Sequence, residues 1–314
     1  MPLLRTLEMK NPFLNLFIAV KTWARLRAHR GVFRFSDASM QFDRVFFPSR
    51  FHARRALKRW PRLASQELIE GGVCRVRLKR EGLCYFWPGT PDANHYFLHE
   101  QEFEPKNPHY YSDAPIVLGP DAIVLDVGAC EGLFALRLLK SGQARRVICF
   151  EPFPMMAGLL RRAAQENGVE EKLQIEPIAL GGKTAAAYFQ TGPTSDGGAV
   201  SSCQRSADEM EVPMMTIDDY CRANSLELRR GDLIKIDAEG SDLDVLLGAR
   251  ETIRRCAPQL AVTTYHEAEH AERMVDYLRE IQPEYSLRLK GFSFWTPLPN
   301  PVLLQASCVS SPLS

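Results

Sequence analysis

Apolar positions fall into two textures along the chain, and the change comes near Ser112. Downstream, short apolar runs alternate with longer amphipathic segments. Ala122 to Val127, Arg146 to Phe150, Leu173 to Leu180, Leu233 to Ile236 and Leu260 to Thr264 are expected strands of the kind buried on both faces. Leu133 to Lys140, Met155 to Glu166, Ser241 to Arg255 and Ala268 to Ile281 are expected helices, the first two stopped by Ser141-Gly142 and Asn167-Gly168 and the last by Pro283. Ser241 and Asp244 resemble a capping box. Tyr285 to Leu289 and Val302 to Ala306 predict a closing hairpin, and Thr191 to Gly198 is a break rich in turn residues. Alternating strands and helices predict an α/β fold, a mostly parallel sheet with helices on both faces.

Upstream the pattern is less regular. Residues 1–62 read as helical and end at Trp60-Pro61, while 72–87 predict two short strands turning at Glu81-Gly82. Pro88 to Pro115, with several prolines and clustered aromatics, is expected to be an irregular connection. The chain is therefore divided into an amino-terminal accessory region, 1–112, and a ligand-binding domain, 113–314.

Composition sharpens this division. With 314 residues, 45 % hydrophobic and 25 % charged, the chain can bury a full core. The net charge of +1 hides an asymmetry: residues 1–62 hold 14 Lys/Arg against Glu8, Asp37 and Asp43, a local +11, and the remainder carries −10. Such a front end suits an anionic membrane surface or another polyanion, or else it neutralises the acidic body on folding. Phe13, Leu14, Phe17, Val20, Ala24 and Leu26, with Trp23 nearby and Lys10, Lys21, Arg25, Arg27 and Arg30 around them, have the composition of an interfacial helix. A specific nucleic-acid partner is not expected. The run Phe13 to Val20 is interrupted by Asn15 and lacks a cleavage site, so neither a spanning helix nor a secretory signal is expected. The eight scattered cysteines show no zinc spacing and fit a reducing compartment; a cytoplasmic protein is the expectation, peripheral at a membrane if the basic region binds one.

Chemistry concentrates in Val124-Leu125-Asp126-Val127-Gly128-Ala129-Cys130-Glu131-Gly132. A buried strand ends in an acid, and a small-residue turn opens a helix at the strand end where such sheets bind ligands. Gly128 and Gly132 let backbone approach a ligand closely. A phosphate-binding P-loop needs Lys-Ser/Thr next, but Leu133 and Phe134 follow. Cys130 occupies the second glycine position of a dinucleotide fingerprint, and an acid at the strand end repels a diphosphate. The acid suits a ligand with an ammonium and a sulfonium, namely S-adenosyl-L-methionine. Glu151, in Phe150-Glu151-Pro152 at the end of the next strand, can accept the hydroxyls of an adenosine ribose.

These residues resemble the FkbM-type S-adenosylmethionine-dependent methyltransferases. Asp126-Val127-Gly128-Ala129-x-x-Gly132, Phe150-Glu151-Pro152, Thr216-Ile217-Asp218-Asp219-Tyr220 and, most specifically, Ile234-Lys235-Ile236-Asp237-Ala238-Glu239-Gly240-x-Asp242 carry the resemblance over roughly residues 110–310. Cys130 and Asp242 stand where the family often has Asn and Glu. The resemblance implies the class I methyltransferase fold, Rossmann-like with seven strands and the last antiparallel. It implies cofactor contacts at Asp126, Gly128, Ala129, Gly132, Glu151, Pro152 and Asp237, with Ala179 and Leu180 bordering the adenine. It further implies O-methylation of a hydroxyl on a sugar, glycan or natural-product-like metabolite.

A hydroxyl acceptor loses its proton, so a nearby base helps. The candidates are Asp237, Glu239 and His266, of which His266 has the ordinary pKa nearest neutrality. Asp237, Glu239 and Asp242 offer oxygens to a divalent ion, but the expectation is no metal, with Glu239 and Asp242 orienting loops or capping the next helix. Two other readings compete: an NAD(P)-dependent oxidoreductase on a doubly wound sheet, and a non-catalytic adapter with a polyanion-binding front end.

Overall fold

The computed structural model describes residues 12–46, 49–90, 93–191, 198–201, 206, 209–296 and 298–309. Among the described residues the basic front end is mainly helical, as expected: α1 (Pro12–Arg30), α2 (Phe35–Ala38), α3 (Asp43–Phe46) and α4 (Ser49–Leu63). Pro61 sits inside the last turn of α4 rather than beyond it. An unforeseen strand β1 (Ala64–Ile69) joins the expected pair β2 (Val73–Leu78) and β3 (Leu83–Pro88) in an antiparallel sheet. The stretch expected to be irregular contains a helix, α5 (Ala93–Phe103). His95, Tyr96, His99 and Glu102 fall on its buried side; that helical stripe is polar and aromatic, so it did not stand out as an apolar pattern.

The apolar runs downstream form a seven-stranded sheet in the order β13-β14-β12-β11-β4-β5-β6. Its strands are β4 (Ile123–Val127), β5 (Arg146–Phe150), β6 (Leu173–Glu176), β11 (Leu233–Ile236), β12 (Gln259–Thr263), β13 (Ser286–Phe292) and β14 (Pro301–Ser307). β14 runs antiparallel to β12 and pairs with β13 as the expected hairpin. This is the class I methyltransferase arrangement. Connecting helices are α6 (Leu133–Lys140), α7 (Pro154–Glu166), α8 (Ile217–Ala223), α9 (Asp242–Leu247), α10 (Arg250–Cys256) and α11 (His270–Ile281).

Three expectations are corrected. The segment Leu173 to Leu180 is not one strand: Ala179–Leu180 leaves the large sheet as β7. It joins β8 (Ala185–Thr191), β9 (Gly198–Ser201) and β10 (Met210–Met215) in a small sheet ordered β7-β10-β8-β9. The expected helix Ser241 to Arg255 breaks at Gly248, which packs so closely that a β-carbon there would lie 2.3 Å from the Gly181 carbonyl oxygen. Ser241 makes no side-chain cap; the Asp242 carboxylate instead accepts the amides of Ala238 (2.7 Å) and Gly240 (3.1 Å).

Strand alternation sends β4 side chains to two cores. Ile123, Leu125 and Val127 pack with α8–α11, and with Leu26, Phe33 and Ala38 from the front end. Val124 packs with α6 and α7, and with Ala56, Trp60, Tyr85, Tyr96 and Tyr111. Residues upstream of Ser112 thus share both cores of the sheet. The seven described cysteines are free, and Cys203 lies outside the described residues. No helix among the described residues is long and apolar enough to cross a membrane.

Candidate functional site

Adjacent parallel strands end on one edge, and there the chain encloses a cavity of about 430 Å³. Of the residues singled out from the sequence, Gly128, Ala129, Glu151, Pro152, Ala179, Leu180, Asp237 and Glu239 line it. Three other candidates stand behind the wall: Asp126, Gly132 and His266.

Asp126 is fully buried and its carboxylate meets the Lys235 ammonium at 2.9 Å. The expectation that it faces a cationic ligand is corrected. Lys235 and Asp126 are register partners on β11 and β4, so each buried charge finds the other across one strand spacing. Burial opposes the Lys235 charge, but Asp126 and Asp237 raise its pKa well above the usual lysine range. Its ammonium also donates to the Gly128 carbonyl at 2.9 Å, which braces the glycine turn. A lysine inside Leu-Ile-Lys-Ile was the sequence signal for this pair, since buried charges need partners.

The two glycines act on protein rather than on ligand alone. Both have positive φ, +72° at Gly128 and +76° at Gly132. A β-carbon on Gly128 would lie 1.9 Å from the Asp237 carbonyl oxygen, so this glycine lets the ends of β4 and β11 close on each other. A β-carbon on Gly132 would lie 2.0 Å from Leu160 Cδ1; its absence seats α6 against α7.

Glu151 is clamped. One carboxylate oxygen accepts the Cys130 amide and the other the Phe153 amide, both at 2.9 Å. Burial still raises its pKa, because the two amides compensate only part of the lost hydration. Asp237 accepts the Tyr111 hydroxyl at 2.7 Å. Burial works against its charge, but Lys235, His266 and that hydroxyl hold its pKa below the ordinary carboxylate value.

His266 differs from its expectation as a neutral base. Its Nδ1 lies 2.9 Å from Asp242, and its Nε2 lies 3.5 Å from Glu239 and 3.8 Å from Asp237. Burial lowers its pKa, but the Asp242 bond and the three carboxylates outweigh this and lift it to about 9. The side chain is therefore an imidazolium at neutral pH. Donor atoms of Asp237, Asp242 and His266 lie within 4.8 Å of one another, close enough for a metal. The Asp242 oxygens, however, already take the Ala238 and Gly240 amides, the Thr263 hydroxyl (2.7 Å) and His266. Asp242 is saturated as an orienting group.

Part of the lining was not legible in sequence. Gln101 and Glu102 of α5, with His109, Tyr111 and Glu131 of the glycine turn, also line the cavity. Burial pushes both Glu102 and Glu131 up to about 7, and pulls His109 down to about 4. Glu102 has a partner in Arg137, 3.4 Å away.

A strand order with β14 antiparallel, and a cavity over the ends of β4, β5 and β11, define a class I methyltransferase fold. The methyltransferase FkbM domain matches residues 126–289, and the chain belongs to the FkbM methyltransferase family. Among curated relatives, the 2-O-methyltransferase NoeI of Sinorhizobium fredii is 26 % identical over 153 residues, 43 % of this chain and 60 % of NoeI. The AMB antimetabolite synthetase AmbE of Pseudomonas aeruginosa is 27 % identical over 216 residues, 57 % of this chain and 10 % of AmbE. The matches thus span less than two thirds of either relative. The solved structure of an FkbM methyltransferase from Methylobacillus flagellatus superposes with a TM-score of 0.45 at 21 % identity, covering 68 % of this chain and 52 % of that one.

Proposed function

We propose that the protein is an S-adenosyl-L-methionine-dependent O-methyltransferase acting on a hydroxyl of a sugar, glycan or natural-product-like metabolite. The carrying observation is the charge of the cavity wall: Glu102, Glu131, Glu151, Asp237 and Glu239 face it, against one lysine that Asp126 already neutralises. Such a wall attracts a sulfonium and an ammonium and repels the diphosphate of NAD(P). Oxygen as the acceptor atom follows the family resemblance and the 2-O-methyltransferase activity for which NoeI is named.

When bound, S-adenosylmethionine supplies a methyl group on a positively charged sulfur. Glu151, Ile178, Ala179 and Leu180 line the cavity; Glu151 would hold the ribose hydroxyls with its remaining lone pairs, and the three apolar residues would border the adenine. Asp237 takes a hydrogen bond from the acceptor hydroxyl and then its proton, and Tyr111 fixes the carboxylate. His266, oriented by Asp242, keeps Asp237 ionised from behind.

Thermal stabilisation by S-adenosylmethionine or S-adenosylhomocysteine, but not by NAD(P)H, is the expected result. Stabilisation by NAD(P)H alone would select the oxidoreductase, and by none of them the adapter. Screening hydroxylated acceptors with labelled cofactor then identifies the substrate; label on nitrogen or carbon alone would refute oxygen.

A second reading concerns α1. Phe13, Leu14, Phe17 and Val20 are 73, 52, 65 and 43 % exposed, with Lys21 beside them. Leu26, by contrast, is buried in the core, and Trp23 donates to the Phe33 carbonyl. The exposed turn supports peripheral contact with an anionic membrane. Lys10, part of the expected basic surround, lies outside the described residues. Phe13→Glu with Phe17→Glu should abolish co-sedimentation with phosphatidylserine vesicles and leave cofactor-induced stabilisation unchanged; undiminished sedimentation would reject this reading.

A further inference from the structure

Two side chains that line the cavity, His109 and Tyr111, come from a stretch that is neither helix nor strand. No sheet ladder fixes it, so its position depends on side chains from elsewhere. The β13–β14 hairpin supplies them. Arg288 and Lys290 alternate onto one face of β13, and Gln305 of β14 is the register partner of Arg288 on that face. Leu289 and Leu304, on the other face, pack into the core.

That polar face grips the stretch along its length. The Lys290 ammonium is fully buried and donates to the Tyr110 carbonyl and to the Asp113 carboxylate, each at 2.6 Å. Gln305, also fully buried, donates to the carbonyls of Tyr111 at 3.0 Å and Asp113 at 3.1 Å. Arg288 donates to the other Asp113 oxygen and to Asp37 of α2, both at 2.7 Å. Gly291 lies so close to the stretch that a β-carbon there would stand 2.3 Å from Pro108 Cβ. A buried lysine is costly even when paired, and an apolar residue of similar size often serves a core as well. Here the ammonium fixes backbone that lies outside the sheet. Between the two gripped carbonyls, of Tyr110 and Tyr111, hangs the side chain whose hydroxyl donates to Asp237 at 2.7 Å.

We propose that Lys290 and Gln305 are positioning residues for Asp237: by holding the backbone on both sides of Tyr111, they keep its hydroxyl on the Asp237 carboxylate. Arg288, shared between Asp113 and Asp37, extends the same clamp to α2 and so gives the amino-terminal region a part in the site. The consequence for methyl transfer rests on the reading of Asp237 given above. The clamp itself does not.

The test needs neither cofactor nor acceptor. The full chain carrying 3-fluorotyrosine in place of Tyr111 gives one fluorine resonance, and Asp237→Asn marks where that resonance lies once the carboxylate bond is lost. Lys290→Met should move it by more than half of that displacement, read well below the melting temperature of each variant. Gln305→Leu should move it in the same direction by less, and it decides the matter if Lys290→Met does not fold. A resonance that stays in place in both variants would make the two residues merely structural and overturn the proposal. A resonance unmoved by Asp237→Asn would overturn it too, since the hydroxyl would not depend on that carboxylate. In turnover, Lys290→Met should cost about tenfold, the loss expected of Tyr111→Phe, and should cost nothing more in a chain that already carries Tyr111→Phe. A full further loss in that background would again overturn it. If the resonance moves as expected while Lys290→Met and Tyr111→Phe both leave turnover intact, the clamp stands and the reading of Asp237 fails.

Discussion

The wall built by the ends of β4, β5 and β11 consists of backbone groups and carboxylates fixed by strand register. A second part of the lining, from α5 and the residues up to Tyr111, consists of side chains whose position depends on packing across the sheet. On the first wall Lys235 faces Asp126 because β11 and β4 pair residue for residue. On the second, Tyr111 reaches Asp237 across 126 positions of sequence. On the function proposed above, the difference separates the work: the register-built wall would hold the cofactor, and the packed residues would shape the space left for an acceptor.

The comparison can be strained at its one direct link. Asp237→Asn should lower turnover by about 10²- to 10⁴-fold, the span of a lost general base, with S-adenosylhomocysteine affinity within a few-fold of the original. Tyr111→Phe should cost far less, about tenfold, because it loosens the carboxylate without removing it. His266→Ala should lie between them. If Asp237→Asn retained full turnover, the acceptor side would have to be sought elsewhere.

Gly128→Ala tests the register wall. Its β-carbon would strike a backbone carbonyl that cannot move alone, and it requires a left-handed residue; a loss of about 3 kcal/mol in chemical denaturation is expected. Gly132→Ala meets the flexible end of Leu160 and should cost less, about 1–2 kcal/mol. Equal losses would contradict the distinction between backbone and side-chain neighbours.

The imidazolium gives the site a pH signature. The folded-state pKa of His266, about 9, lies above its ordinary value of 6.5, so the stability it confers is complete below about 6.5 and fades as pH rises through 9. Up to about 3 kcal/mol should be lost across that window, and His266→Asn should flatten the profile. With Asp237 as the proposed proton acceptor, its pKa lowered, turnover should not climb through pH 9 and should fall only in acid. A rise centred near 9 would return the base role to His266. The smallest expected effect is that of excess chelator, which should leave turnover unchanged because Asp242 has no free lone pair to offer.

The glycine turn, Glu151, Asp237 and the closing hairpin were legible because each follows a local rule: strand periodicity, turn chemistry, or an acid at a strand end. Lys235 was half legible, as a charge in an apolar strand that had to find a partner. Glu131 sat in the motif in plain view, but nothing local distinguished it from a surface residue. Glu102, His109 and Tyr111 gave no signal, since polar and aromatic residues in a proline-rich stretch do not reveal which side of a helix they occupy.

By itself, then, the chain order of strands, turns and acids determined a mostly parallel α/β sheet with a closing hairpin and where its ligand edge lies, because periodicity and turn geometry act over a few residues; the class I methyltransferase form of that sheet was implied by the resemblance of its motifs. Tertiary structure decided that Asp126 is spent on Lys235, that His266 carries a proton, and that α5, His109 and Tyr111 help line the cavity. Those outcomes depend on burial and on charges brought together from distant segments, and desolvation and pairing are properties of the packed molecule alone.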